Sequence, residues 1–92
     1  MSYLTLPKRV LSSPLIEYTN FVDGSHVNLI RISKPYADGT CYAVHETTKS
    51  WFCSNGLFKD YESAKVKYEL MVKNGGDESA ILSQGKLDHN TI

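Results

Sequence analysis

An α+β fold is the architecture this sequence predicts: a small antiparallel β-meander of three to four strands with one main α-helix packed on one face. Three observations carry it. Runs rich in β-branched and aromatic residues fill the first two thirds of the chain, a composition that suits a pleated, half-buried surface. Asp23-Gly24, Asp38-Gly39 and Asn55-Gly56 punctuate those runs, and such pairs tolerate the positive φ angles that tight hairpin turns demand. Beyond Lys59 the apolar period lengthens from that of a strand to that of a helix.

The strands follow in order. The first is expected over Leu15–Val22, the second over His26–Ser33 and the third over Thr40–Glu46. A shorter fourth, Ser50–Cys53, comes after the polar stretch Thr47-Thr48-Lys49. In the second strand Ile30 and Ile32 oppose Val27, Leu29 and Arg31, so both faces are partly apolar, as in a central strand of a sheet covered on one side. In the third, Cys41, Ala43 and His45 share one face, and Tyr42, Val44 and Glu46 the other.

The helix is expected over residues 60–74. Asp60 supplies an N-cap carboxylate, and Glu62 lies near the positive helix end. Tyr61, Ala64, Tyr68, Met71 and Val72 form a helical stripe, Glu69 and Lys73 an i,i+4 pair, and Asn74-Gly75-Gly76 the C-terminal stop. Residues 77–92 form a tail holding a turn or two around Glu78–Ser83, with a frayed end from Lys86 to Ile92. Leu4, Leu6, Val10 and Leu11 tuck the N-terminal segment, residues 1–13, against the sheet or its edge. The whole, residues 1–92, reads as a single domain with its sheet in 14–54 and its helix in 59–74, and an unpaired sheet edge is a natural docking surface.

Length and charge bound the function. A chain of 92 residues buries about 64% of its extended surface, enough for one modest core. Ten Lys/Arg balance ten Asp/Glu, which argues against binding free nucleic acid or an anionic membrane through bulk charge. The neutrality is uneven: residues 1–34 carry a net +2 and residues 75–92 a net −2, so a local basic patch and an acidic end coexist. No apolar run approaches the roughly 18–20 residues of a membrane span, and the N-terminus lacks the long apolar region of a secretory signal. The expected compartment is a cytoplasm.

Chemistry-bearing residues are sparse. Cys41, His45 and Cys53, with His26, are the set that could ligate zinc, but their spacing forms no Cys-x-x-Cys knuckle. The plainer assignment is free thiols, with a cross-strand Cys41–Cys53 disulfide geometrically possible but disfavoured in a reducing compartment. A Cys–His dyad can be drawn, but nothing supplies an oxyanion hole, and no Gly-rich phosphate loop is present. Glu17 and Glu46 face each other only by accident of register. The expectation is therefore a non-enzyme with no cofactor and no metal.

Aromatic residues are dense around the sheet: Tyr18, Phe21, Tyr36, Tyr42, Trp51, Phe52 and Phe58. Most fill the core; interleaved with Arg31, Lys34 and Lys49 they could instead stack bases and meet phosphates. Tyr36 lies in a turn between Pro35 and Asp38, where core burial is less expected. Arg31, Lys34 and Tyr36 cluster at one end of the sheet, Asn55 is expected to exit there too, and Lys49 adds charge. Arg31, Lys34, Tyr36, Lys49 and Asn55 are thus the candidate partner-binding residues, since interfaces favour Tyr and Arg anchors.

The segments Val27-Asn28-Leu29-Ile30-Arg31-Ile32-Ser33, Cys41 to Cys53 and Phe58-Lys59-Asp60-Tyr61-Glu62-Ser63-Ala64, with the total length, give the chain a resemblance to phage-encoded anti-CRISPR proteins of the group inhibiting type I-F CRISPR-Cas systems. The resemblance implies a stoichiometric inhibitor that binds Cas proteins of the crRNA-guided surveillance (Cascade/Csy) complex in the host bacterial cytoplasm and prevents target-DNA recognition. It implies possible contact with the guide RNA, and neither a membrane nor a small-molecule substrate. No functional residue is carried over by motif. The alternatives are a small single-stranded nucleic-acid-binding module and a phage regulatory interaction domain.

Overall fold

The computed structural model describes residues 7–47 and 53–86. A short helix α1 (Lys8–Leu11) precedes β1 (Leu15–Phe21), β2 (His26–Arg31), β3 (Tyr42–Thr47) and β4 (Cys53–Phe58). Helix α2 (Tyr61–Gly75), a 3-10 turn at Glu78–Ala80 and β5 (Ile81–Lys86) complete the chain. The sheet is five-stranded, in the order β4-β3-β2-β1-β5, with each neighbouring pair antiparallel. The architecture is α+β with one main helix, as the sequence predicts, and with one strand more than expected. Among the described residues no helix is long and apolar enough to cross a membrane.

Two of the three turn signals make turns. Gly24 sits at φ 94° in the β1–β2 hairpin and Gly39 at φ 97° in the β2–β3 connection, a region where a Cβ is costly. An aspartate reinforces each: Asp23 accepts from the Ser25 amide and Asp38 from the Thr40 amide. The third signal does not. Asn55-Gly56 lies inside β4, opposite His45 and Val44. Of the strand expected over Ser50–Cys53, residues 50–52 lie outside the described residues, and β4 runs on from Cys53 through the expected turn.

Helix α2 forms where the stripe places it. Asp60 caps it, its carboxylate accepting from the Ser63 amide at 2.8 Å. Ala64, Tyr68 and Met71 are buried, with Tyr61 and Val72 packed beside them. Glu69 pairs with Lys65, one turn earlier, at 3.7 Å. The helix also solves a problem of distance. It connects β4 and β5, the two opposite edges of the sheet, which four strand spacings set about 19 Å apart. Fifteen helical residues span about 22 Å.

The main core lies between α2 and the sheet, where Ile16, Phe21, Val27, Leu29, Tyr42 and Val44 meet the helix stripe. A second cluster lies on the opposite face: Val10 of α1 packs on Ile30, Ile32 and Ala43, with Leu15 and Tyr36 beside it. Val10 therefore tucks in as expected, whereas Leu11 is exposed, and Leu4 and Leu6 lie outside the described residues. Helix α1 covers only one end of that face.

The tail corrects the sequence-based expectation. The expected turn forms, as the 3-10 turn at Glu78–Ala80, but from Ile81 the chain folds back as β5 on the outer side of β1, with Glu17 opposite Lys86 and Phe21 opposite Ile81. Lys86 thus belongs to a strand rather than a frayed end.

Candidate binding surfaces

Strand alternation sorts the polar side chains into two sets. Toward α2, β1 directs Glu17 and Thr19 into the core, where both are buried. Glu17 accepts from the Tyr61 hydroxyl at 2.9 Å and forms an ion pair with Lys65. Burial, followed by the hydrogen bond to Glu17, pushes the Tyr61 phenol up to about 12, so Tyr61 is a donor at every physiological pH. Thr19 and Tyr68 share a hydroxyl–hydroxyl bond of 2.7 Å, and Gln84 of β5 donates to Thr19 at 3.1 Å. Lys65 Nζ also stands 5.4 Å from the centre of the Tyr68 ring. Of these groups Glu17, Lys65, Tyr68 and Gln84 line a cleft of about 440 Å³ between α2 and β5, but they are engaged within the network. The network ties helix to sheet.

The other set is on the face away from α2. There β1 contributes Tyr18 and Asn20, β2 contributes His26 and Asn28, and β3 contributes His45 and Thr47, in cross-strand register. A shallow groove of about 500 Å³ is lined by Leu15, Tyr18, Asn20, His26, Asn28 and Ser83. The Tyr18 ring lies across Gly85 of β5, where an added Cβ would come within 2.5 Å of it. His26 and His45 are diagonal neighbours with ring centroids 6.0 Å apart, and the His45 Nε2 lies 3.2 Å from the Thr47 hydroxyl. Burial, and then the neighbouring His45, hold the His26 imidazole below its ordinary 6.5.

Sequence reasoning did not single out this face as a site. Its signal was present in the alternation Tyr18-x-Asn20 and His26-x-Asn28, polar positions flanking the apolar Val27 and Leu29.

The residues singled out from sequence divide differently. Arg31 ends β2, and Lys34 and Tyr36 follow in the connection to β3, so the three share one end of the sheet. Arg31 lines a depression of about 460 Å³ with Pro14, Ile32, Ser33, Pro35 and Cys41. Lys34 is exposed. Tyr36 is half-buried against the α1 cluster rather than standing clear in its turn, and its amide donates to the Thr40 carbonyl. Asn55 does not join them. Arg31 aligns with Tyr42 and Phe58, whereas Asn55 is opposite His45, three positions away or about 10 Å. Lys49 lies outside the described residues.

Register also separates the cysteines. The Cys41 amide donates to the Phe58 carbonyl, and its Sγ to that of Lys59 at 3.3 Å. Cys53 is opposite Thr47, six positions along β3 and about 20 Å away. A disulfide requires Cα atoms within roughly 7 Å, so the cross-strand bridge that seemed geometrically possible is excluded. Neither do Cys41 and His45 converge with Cys53 across a hairpin, and no metal-ligating group of three side chains occurs among the described residues.

Comparison with protein-family models, with curated proteins and with solved structures found no match to this chain.

Proposed function

We propose that the chain is a stoichiometric binding protein that inhibits the type I-F crRNA-guided surveillance complex in the host bacterial cytoplasm, by occupying a surface needed for target-DNA recognition. The identity of the partner rests on the sequence resemblance. What supports a binding role is the distribution of polar side chains. The helix-facing set, buried Glu17, Thr19 and Tyr68 with half-buried Tyr61, is committed to holding α2 on the sheet, while the opposite face and the Arg31–Tyr36 end present shallow, polar, aromatic surfaces of the kind that interfaces use. Lys34, exposed at that end, is the basic contact of the proposed interface with a Cas subunit.

The test adds the protein to purified surveillance complex and measures capture of target DNA. Capture falls and reaches its floor near a stoichiometric ratio; undiminished capture at saturating protein overturns the proposal. Lys34→Glu weakens inhibition while leaving the melting temperature nearly unchanged, because an exposed charge contributes little to folding. Equal inhibition by this variant moves the contact away from the β2–β3 connection.

A further inference from the structure

Among the described residues, the face away from α2 is covered only at the Ile30, Ile32 and Ala43 end, by α1. The remainder has a consistent chemistry. Both strand carboxylates among the described residues that could oppose an anion, Glu17 and Glu46, alternate to the helix side, Glu17 against Lys65 and Glu46 near Lys67. The uncovered strands show amides, hydroxyls, one phenol ring and two imidazoles. That is an electrostatic setting open to a polyanion, one that needs no bulk positive charge.

The arrangement goes further than charge. Tyr18 is held across Gly85 by close approach, so its ring is oriented before anything binds and little rotamer freedom remains to be lost. Asn28 lies beside it on the central strand, opposite Tyr18 itself, and an amide offers both donor and acceptor to a base edge. The Asn20 amide and Ser83 hydroxyl, already bonded to each other at 3.1 Å, supply two-way partners of the kind a ribose 2′-hydroxyl uses. His26 and His45 stand next to them. The groove's volume of about 500 Å³ is that of a small-ligand site; it suits one splayed nucleotide and not a duplex.

We propose that this uncovered face binds single-stranded RNA, with Tyr18 stacking on one unstacked base, Asn28 and Asn20 meeting its edge and ribose, and the His26–His45 pair facing the phosphate. Sheet-borne rings that stack bases are a recurrent mode of RNA recognition. The His26 imidazole, at the edge of the groove, makes the contact proton-linked. Among the described residues, the titratable groups facing His26 are His45 on β3 and Tyr18 on β1; Asp23 in the hairpin turn is engaged by Ser25. A docked phosphate favours the charged form of His26, so RNA binds more tightly as pH falls.

The experiment titrates the full chain with a short single-stranded RNA of mixed sequence, followed by amide NMR at about pH 6 and about pH 7.5. Shifts are expected at Tyr18, Asn20, His26, Asn28 and His45, with affinity several-fold higher at the lower pH. Tyr18→Ala lowers affinity by about tenfold. Asn28→Asp, nearly isosteric and placing a carboxylate in the face, abolishes binding while the melting temperature holds. DNA of the same sequence binds more weakly. Absence of shifts on this face, full affinity in Asn28→Asp, or equal affinity for DNA overturns the proposal. Shifts of the same residues with protein concentration alone assign the face to a second copy of the chain and overturn it too. Naked RNA is the probe, so this result and the surveillance-complex result succeed or fail separately.

Discussion

Glu17 is a buried carboxylate on the face of β1 that packs under α2, and it is tolerated because two donors meet it. Tyr61 and Lys65, four residues apart on α2, both reach it. Glu17→Gln keeps the shape but discards the charge, leaving Lys65 with its weaker contact to Glu69. Lys65 is partly exposed, so the expected loss is about 2 kcal/mol, below the roughly 3–5 kcal/mol of a fully buried pair. Chemical denaturation measures it, and an unchanged midpoint contradicts the role given to Glu17. His26 makes a different residue-scale prediction. Its imidazole titrates below 6.5 in the folded chain, so the unfolded chain takes up the proton first as pH falls. Stability is full above that value, declines as pH drops through it, and levels off below the folded pKa. Melting temperatures at about pH 7.5 and about pH 5.5 show this decline in the parent and a smaller one in His26→Gln. Equal declines place the titration elsewhere.

At the scale of elements, the two edge strands share a device. Each contains a glycine covered by an aromatic ring: Gly56 of β4 by Phe58, and Gly85 of β5 by Tyr18. A ring laid over an edge glycine restores the packing that the missing side chain withholds. Gly85→Val inserts a branched side chain where the ring now lies, within 2.5 Å at the Cβ alone. It should displace Tyr18 and loosen β5, seen as faster amide exchange across Ile81–Lys86 with β2 and β3 still protected. Unchanged protection there would show that the ring yields without cost. The same device explains where the sequence misleads. Asn55-Gly56 has the composition of a turn, but it pairs with His45 and Val44 of β3, and the Phe58 ring lies across Gly56. Ile81-Leu82-Ser83-Gln84-Gly85-Lys86 has little intrinsic strand preference; pairing with β1 creates the element, and pairing partners so distant in sequence leave no local trace. Helix α2 was legible because its cap, stripe and stop are all local.

For the whole molecule, the layered plan was legible and the site only in part. Period and turn chemistry specify a sheet with a helix on one face. Which polar residues share the other face depends on register, and one bulge between Leu15 and Glu17 is enough to change it. Thus Arg31, Lys34 and Tyr36 were placed together by adjacency alone, while Asn55 was misplaced because its strand was read as a turn. The strand order has a further consequence, concerning synthesis. Strands β1 to β4 pair with their sequence neighbours, so the meander can close hairpin by hairpin as the chain emerges. The outer edge of β1 waits for residues 81–86, which are made after the other four strands. Until β5 is made, the nascent chain displays as an open edge a strand that is interior to the finished sheet, and a neighbouring nascent copy can occupy it.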